Sequence, residues 1–444
     1  MIAMVLAPCV ITVHADRVIR ADADQFFGID LNYIRDRDSN RPDARPLEVA
    51  LREMGVRWLR FPGGEKSNYH LWSEPPYEKP APQSLGWYAI PKGDRMNFDQ
   101  YIDLCRRVKV EPYVVVGYES EERTGLTEQK WLDTATAWVR YAKSKGDRVR
   151  YWEVGNENWN GHKGTPTEMA RIVCEFATAM KKVDPSILIG ASGDNEAWWK
   201  DFLPIAAPSI DFLTVSEYTG WEWKSYDRFL NNPELGGIAK TAVAAIDKYA
   251  PPSDRPRLQV IVAETNTIDY SKEPWPDSND LGHALVTFDT LGHLLAEPRI
   301  RAAMVWTTRW MDDADAPKSQ YYALGSRNEL MPTGQALRIW GAFVEPLLVA
   351  VEGSNMTTEG FAARSKNGRS MTVWLMNRGK TPQDVRLSVE GAEYLVAQRR
   401  QFSGSSENDG SPRWEILSDT ALSDGVYADS LAPLSVTILT LQSR

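Results

Sequence analysis

Between residues 27 and 340, short apolar runs alternate with stretches in which apolar side chains return every three or four positions. The runs predict strands over residues 27–31, 57–61, 112–116, 151–154, 187–190, 212–215, 258–262 and 302–306. The stretches between them are mostly long enough for amphipathic helices. Eight such units predict an α/β fold, a (β/α)8 TIM barrel, over residues 22–340.

The helical stretches carry their own punctuation. In Thr165-Pro166-Thr167-Glu168 an N-cap Thr precedes a Pro at the first helical position, and Glu168 is placed to close a capping box. Met169, Ile172, Val173, Phe176 and Met180 then follow along one face. Leu47, Ala50, Leu51 and Met54 form a similar stripe that ends at Gly55, a good helix terminator. Beyond Gly341 the helical periodicity stops. Residues 371–376 read as a strand, Val385, Leu387 and Val389 alternate, and so do Leu434, Val436 and Ile438. Gly, Ser and Asn gather between these segments, most densely over residues 403–410. This predicts a C-terminal antiparallel β-sandwich domain over residues 341–444, completed by residues 1–21 through a strand between Val10 and Ile19.

Composition narrows the function more than the fold. The 444 residues exceed one ordinary domain and carry a net charge of -9. No cluster of Lys and Arg is present, so nucleic acid is not an expected partner. No apolar run is long enough to span a membrane. Cys9, Cys105 and Cys174 give no disulfide framework, and Cys105 and Cys174 read as small core residues. The five scattered His show no metal-ligand spacing, and no metal or other cofactor is expected. Leu6-Ala7-Pro8-Cys9 is faintly like a lipoprotein cleavage box, with Pro8 where a small residue belongs. A leading strand is the preferred reading, and cytoplasmic and exported locations both stay open. The outlier is tryptophan, with 17 residues. Any single one reads equally well as core. As a set, Trp72, Trp87, Trp159, Trp198, Trp199, Trp221, Trp223, Trp275 and Trp310 stand in polar, loop-like surroundings and suit flat, C–H-rich ligand faces such as sugar rings.

In a barrel the chemistry sits at the C-terminal ends of the strands. Two runs end there in acids: Tyr151-Trp152-Glu153-Val154-Gly155-Asn156-Glu157 and Val260-Ile261-Val262-Ala263-Glu264-Thr265-Asn266. A buried strand that delivers a carboxylate at its tip is costly unless the carboxylate is used. The fourth and seventh tips face each other across a barrel mouth, so Glu157 and Glu264 are expected to line one pocket. Two carboxyls about 5–5.5 Å apart can cleave a glycosidic bond with retention, one protonating the leaving oxygen while the other attacks the sugar. Such a pair needs unequal surroundings. Arg60 is the expected cation near the nucleophile, and Trp159 the expected apolar neighbour of Glu157. Glu153 reads as a buried structural acid paired with an Arg below the site. Glu65 and Glu217 are rival functional acids, and Asn32 and Trp306 stand at the first and eighth tips.

The motifs also resemble a known group. Trp152-Glu153-Val154-Gly155-Asn156-Glu157 resembles the acid/base motif of the clan A retaining glycoside hydrolases. Arg60-Phe61-Pro62-Gly63-Gly64 is similar to the Arg-Tyr-Pro-Gly-Gly segment after the second strand in that clan's α-L-arabinofuranosidase family. Ala263-Glu264-Thr265-Asn266 is similar to the nucleophile segment, often Thr-Glu-Tyr-Asn. The resemblance, strongest to arabinofuranosidase- and β-xylosidase-type families, implies Glu157 as general acid/base and Glu264 as nucleophile. It implies Asn156 as the partner of the sugar 2-hydroxyl, Arg60 as a support for the nucleophile and Tyr218 as the aromatic that touches it. With Trp306, Trp159, Trp221, Glu65 and Asn32, these make up the candidate substrate-binding set.

Two features depart from the family. Val215-Ser216-Glu217-Tyr218 lacks the His common at the sixth tip, and Asn158-Trp159-Asn160-Gly161 is an unusual continuation. Both bear on sugar specificity, so arabinofuranosidase-like and endo-glucanase- or xylanase-like action stay open on a plant-type or microbial oligosaccharide or polysaccharide. The alternatives from other classes are a non-catalytic carbohydrate-binding protein on a disabled barrel and a metal-dependent barrel enzyme.

Overall fold

Phe27–Asp30, Trp58–Phe61, Glu111–Val116, Tyr151–Val154, Leu188–Ser192, Phe212–Glu217, Gln259–Thr265 and Ile300–Val305 form eight parallel strands. They pair in chain order and close into a barrel. The computed structural model describes residues 8–85, 93–161, 163–218, 223, 225–231, 235–267, 279–310, 322–419 and 426–443. Each predicted strand is present, the fourth with the predicted ends and the others within a few residues; the sixth and seventh run on to Glu217 and Thr265 because polar tip residues still pair in the barrel.

Helices follow the strands and coat the barrel, and the anticipated caps are in place. Thr165 and Glu168 close a capping box on Pro166–Val183, and Gly55 ends Leu47–Met54 with a φ of 69°. Inside the lower barrel Trp58, Tyr113, Tyr151 and Phe212 interdigitate with Ile261, Ala263, Ala302 and Met304. The aromatic rings fit because neighbouring positions are small. A Cβ on Gly190 would lie 2.0 Å from the Phe212 ring. The barrel floor is therefore a packed core, and only the mouth is open to chemistry.

Three of the nine tryptophans noted for their polar surroundings serve packing instead. Trp72, Trp198 and Trp199 are buried, the last two on the core-facing side of helix Glu196–Ala206. Trp159, Trp223 and Trp310 are half-buried, while Trp87, Trp221 and Trp275 lie outside the described residues, as do residues 1–7. Cys105 is buried and Cys174 half-buried, as small packing residues. Among the described residues, no helix is long and apolar enough to cross a membrane.

The C-terminal strands and Cys9–Arg20 form one continuous nine-stranded sheet. Its pairs are antiparallel except where Cys9–Arg20 runs parallel to Gln383–Glu390. The sheet curls, so that its inner face closes over its own core of Ile11, Val13, Val373, Leu375, Leu387 and Leu439. The unbroken apolar run 371–376 is thereby explained. Met371, Val373 and Leu375 point into that core, and Trp374 and Met376 point at the barrel.

The barrel meets the sheet through helix Leu281–Leu295, which is mostly apolar and buried nearly all round because both layers cover it. Trp374 stacks near Trp340 at 4.6 Å and donates to the Ile339 carbonyl. Arg378 crosses the junction to Asp289 at 2.6 Å and Glu359 at 2.9 Å, with both ends of the Asp289 pair almost wholly buried. Removing one partner of such a pair strands the other charge, which costs roughly 3–5 kcal/mol. Arg378→Met is therefore expected to lose about that much stability in urea unfolding. Loss of less than about 1 kcal/mol would show the junction does not depend on it.

Candidate active site

Arg60 closes the second barrel strand with its side chain turned inward and only 1% exposed. Its Nη1 donates to Glu264 at 2.8 Å and to Asp30 at 3.2 Å. Its Nη2 donates to Glu153 at 2.9 Å and to Asn156 Oδ1 at 2.7 Å, and its Nε donates to Glu153 at 3.2 Å. One guanidinium thus ties together the tips of the first, fourth and seventh strands. Glu153 also accepts from the Tyr113 hydroxyl at 2.7 Å and the Thr214 hydroxyl at 2.6 Å. The Arg expected below the site as its partner is Arg60 itself, at the level of the site. The strand parity of Glu153 points it into the barrel directly under the mouth, which leaves no room for a separate cation.

Glu264 stands at the end of the seventh strand, where a register shift between Val262 and Glu264 re-aims the chain. Arg60 holds one carboxylate oxygen, and the Tyr218 hydroxyl donates to the other at 2.6 Å. Burial pushes this carboxyl up to about 7, against the pull of Arg60, and the nearby Glu157 raises it further while Tyr218 lowers it.

Glu157 is placed by an unusual turn. Gly155 has a φ of 67°, and a Cβ there would lie 2.2 Å from Asn158 Oδ1. Asn158 fills that space and donates to the Val154 carbonyl at 2.7 Å, while its own N–H donates to Ser192 Oγ at 2.8 Å. Glu157 itself sits at a φ of 46°, a region that a bulky residue occupies only when its surroundings enforce it. Its carboxyl accepts from Ser216 Oγ at 2.6 Å and from Asn160 Nδ2 at 3.3 Å. Asn156, between the turn and the acid, is fixed through its backbone by Asn68 and Lys163. A cavity of about 220 Å³ opens beside Glu157, lined by Asn156 and by Glu65, Asn68, Glu119, Arg123 and Lys163 among others.

Trp306 forms the opposite wall. It meets Tyr218 edge-on at 6.4 Å and Trp310 at 4.9 Å. Gly64, at a φ of 59°, lets the second loop lie against both rings, since a Cβ there would come within 2.7 Å of the Trp306 indole nitrogen. Phe61–Pro62 and Trp306–Thr307 are cis peptides at the same mouth.

The structure therefore brings Glu157, Glu264, Asn156, Arg60, Tyr218 and Trp306 together, with Glu65 on the cavity rim. Asn32 differs. Its amide donates to the Arg309 and Trp310 carbonyls and its Oδ1 accepts from Ile34, so it ties loops together. Trp159 packs against the core cluster, and Trp221 lies outside the described residues. Glu217 is not a rival acid, because its carboxylate turns outward to accept from the Ala239 N–H of helix Gly237–Tyr249. Asp30, Tyr113 and Thr214 escape notice in the sequence, and Asn158 is noted there only as part of an unusual continuation. Strand parity could have found Asp30, since Gly28 and Asp30 share the inward face. The supporting role of Asn158 carries no such signal, because it depends on the space left by Gly155 and on Ser192 of the next strand. Among the described residues one group has metal-ligand spacing, Asp289, His293 and Glu359, but it lies at the sheet junction and Arg378 already pairs with both its acids.

Two carboxyls within electrostatic reach, one held by a cation and a phenol and the other by neutral donors, can divide the work of a proton donor and a nucleophile. Comparison with known proteins adds a likeness in sequence and fold. Residues 50–219 match the alpha-L-arabinofuranosidase 1 domain. Alpha-L-arabinofuranosidase C of Emericella nidulans is 28% identical over 224 residues, 42% of this chain and 42% of that protein. The intracellular exo-alpha-(1->5)-L-arabinofuranosidase of Acetivibrio thermocellus is 24% identical over 290 residues, 57% of this chain and 56% of that one. The chain thus spans about half the length of these relatives. In structure, alpha-L-arabinofuranosidase from Thermotoga maritima, solved with arabinose, superposes with a TM-score of 0.75 at 20% identity, covering 97% of this chain and 99% of that one. In fold the chain is similar to solved arabinofuranosidases, and over residues 50–219 its sequence is similar to the alpha-L-arabinofuranosidase 1 domain.

Proposed function

We propose that the chain is a retaining glycoside hydrolase that removes arabinofuranosyl groups from an oligosaccharide or polysaccharide, with Glu264 as nucleophile and Glu157 as general acid/base. The observation that carries this reading is the shared scaffold of the two acids. Ser216 and Tyr218, two residues apart at the sixth tip, hold Glu157 and Glu264 respectively, and Arg60 links Glu264 to the residue before Glu157.

In the first step Glu264 attacks the anomeric carbon while Glu157 protonates the departing oxygen. The C–O bond breaks and a glycosyl ester forms. In the second step Glu157 takes a proton from water, the water attacks the same carbon, and the ester opens with net retention. Among the described residues Glu264 accepts from a guanidinium and a phenol, whereas Glu157 accepts from a hydroxyl and an amide, so the two acids stand in unequal surroundings. Asn156 Oδ1 is taken by Arg60, which leaves its Nδ2 as the group to donate to a sugar hydroxyl. The polar cavity beside Glu157 suits the leaving sugar, and the Trp306 wall suits the ring being transferred. The arabinofuranosyl specificity is supported by the named relatives.

Glu264→Ala is expected to lower turnover of an aryl α-L-arabinofuranoside by about 10⁴- to 10⁶-fold. Glu157→Ala should lose about 10²- to 10⁴-fold on substrates with poor leaving groups, much less on activated ones. Added azide should then restore part of its rate with a glycosyl azide as product. Undiminished activity in either variant removes the assignment. Proton NMR of the first-formed sugar should show the substrate's anomeric configuration, and inversion would exclude the double displacement.

Ionisation has a consequence for stability. A buried carboxyl whose folded value stands above its unfolded one supports the fold at low pH and loses that support as pH rises through the folded value. For Glu264 the window runs from about 4.5 to about 7. Glu264→Gln should therefore melt higher than wild type by a margin that widens from pH 5 to pH 8. A constant margin in differential scanning fluorimetry would contradict this.

A further inference from the structure

Lys66 follows Arg60-Phe61-Pro62-Gly63-Gly64-Glu65 in the second loop, on a short 3₁₀ turn, Glu65–Tyr69. In sequence it sits in a polar run and reads as a solvated lysine. In the structure it is fully buried, and its Nζ has no hydrogen-bond partner. Instead the ammonium lies 4.0 Å from the centre of the Trp310 ring. An unbonded buried ammonium is expensive, and a single cation–π contact returns only a fraction of that cost. The remainder comes from its charged neighbours. Asp30, Glu264 and Asp36 attract it and Arg60 repels it. Asp36 is already paired with Arg309. Around Arg60, in contrast, Asp30, Glu153 and Glu264 set three buried acids against one cation.

We propose that Lys66 is a positioning residue whose buried ammonium, held under the Trp310 indole, supplies the second positive charge that keeps Glu264 ionised. The activity arm of this idea rests on the hydrolase reading above. Lys66 touches no substrate, since its Nζ is sealed from solvent. It acts through the charge of Glu264 and through the aromatic wall, where Trp310 leans on Trp306 and Trp306 on Tyr218. The groups that face Glu264 are Arg60, Tyr218, Glu157 and Asp30, and Lys66 stands behind them, joined to Glu264 through the wall of Trp310, Trp306 and Tyr218. Burial lowers Lys66 to about 7, with the three acids opposing that fall, so its charge depends on the acids that it balances.

Two measurements test the proposal. The first is kcat/KM against pH on p-nitrophenyl α-L-arabinofuranoside for wild type, Lys66→Met and Lys66→Arg. Loss of the charge should move the acid limb of the Met variant up by about one pH unit, and Arg should recover most of that shift. A folded Met variant with an unmoved limb overturns the proposal. The second needs no substrate. Thermal unfolding at pH 7 of Lys66→Met, Glu264→Gln and the double variant should show coupling, with the double variant melting above the sum of the two single shifts. Additive shifts overturn the proposal whatever the enzyme does. If wild type fails to hydrolyse any aryl glycoside, the hydrolase reading falls and the unfolding cycle still decides Lys66. Lys66→Gln replaces the Met variant in both measurements should the latter not fold.

Discussion

The mouth of this barrel is organised by one guanidinium in a place with almost no water. Three carboxylates and an amide converge on Arg60, each from a different position along the chain. Desolvating that many charges is unfavourable, and their mutual attraction offsets it only while every donor has an acceptor. Arg meets this demand where Lys would not. Its planar fork presents donors in several fixed directions, so it can grip Glu264 and Asn156 at once and set the spacing of the strand tips that carry them. Tyr113 and Thr214 complete the arrangement from below by satisfying Glu153.

The same economy governs the two acids. The sixth strand tip serves both, through hydroxyls two residues apart that point the same way because the strand repeats every second residue. Catalytic asymmetry then follows from what each carboxyl lacks. Glu264 is buried and gripped at both oxygens, whereas Glu157 is half-buried on a left-handed turn beside an open cavity. A rigid group suits attack at a fixed carbon. A group beside an open cavity suits exchange of a proton with a departing sugar and then with water.

Much of this was legible in the residues. Eight apolar runs of strand length, each delivering a polar tip, specify the barrel strongly, and the acids at the fourth and seventh tips follow from its geometry. The Thr165 and Glu168 box and the Gly55 terminator are local signals with local causes, so they read correctly. What did not read were side chains whose environment is made by distant segments. Trp72 and Trp198 look exposed because their sequence neighbours are polar, yet burial is decided by the packing of elements far along the chain. Glu217 sits at a strand tip like the functional acids, but it alternates outward and finds a helix N-terminus. Lys66 gives no hint in sequence of its burial, since nothing near it announces that Trp310 will lie across it. The curled sheet was readable as strands but not as one continuous ladder, because the parallel pairing of residues near both chain ends leaves no local trace.

The helix that follows the Glu264 strand carries Asp289, and Asp289 is bound by Arg378 of the curled sheet. That helix has no polar face of its own. Cutting away the sheet would therefore do more than remove an appendage. It would uncover a mostly apolar helix that follows the Glu264 strand and leave the Asp289 carboxylate without its cation. Barrel and sheet are in this sense inseparable halves of one machine, and a minimal version of the protein made by trimming at the end of the barrel is a recipe for insoluble chain.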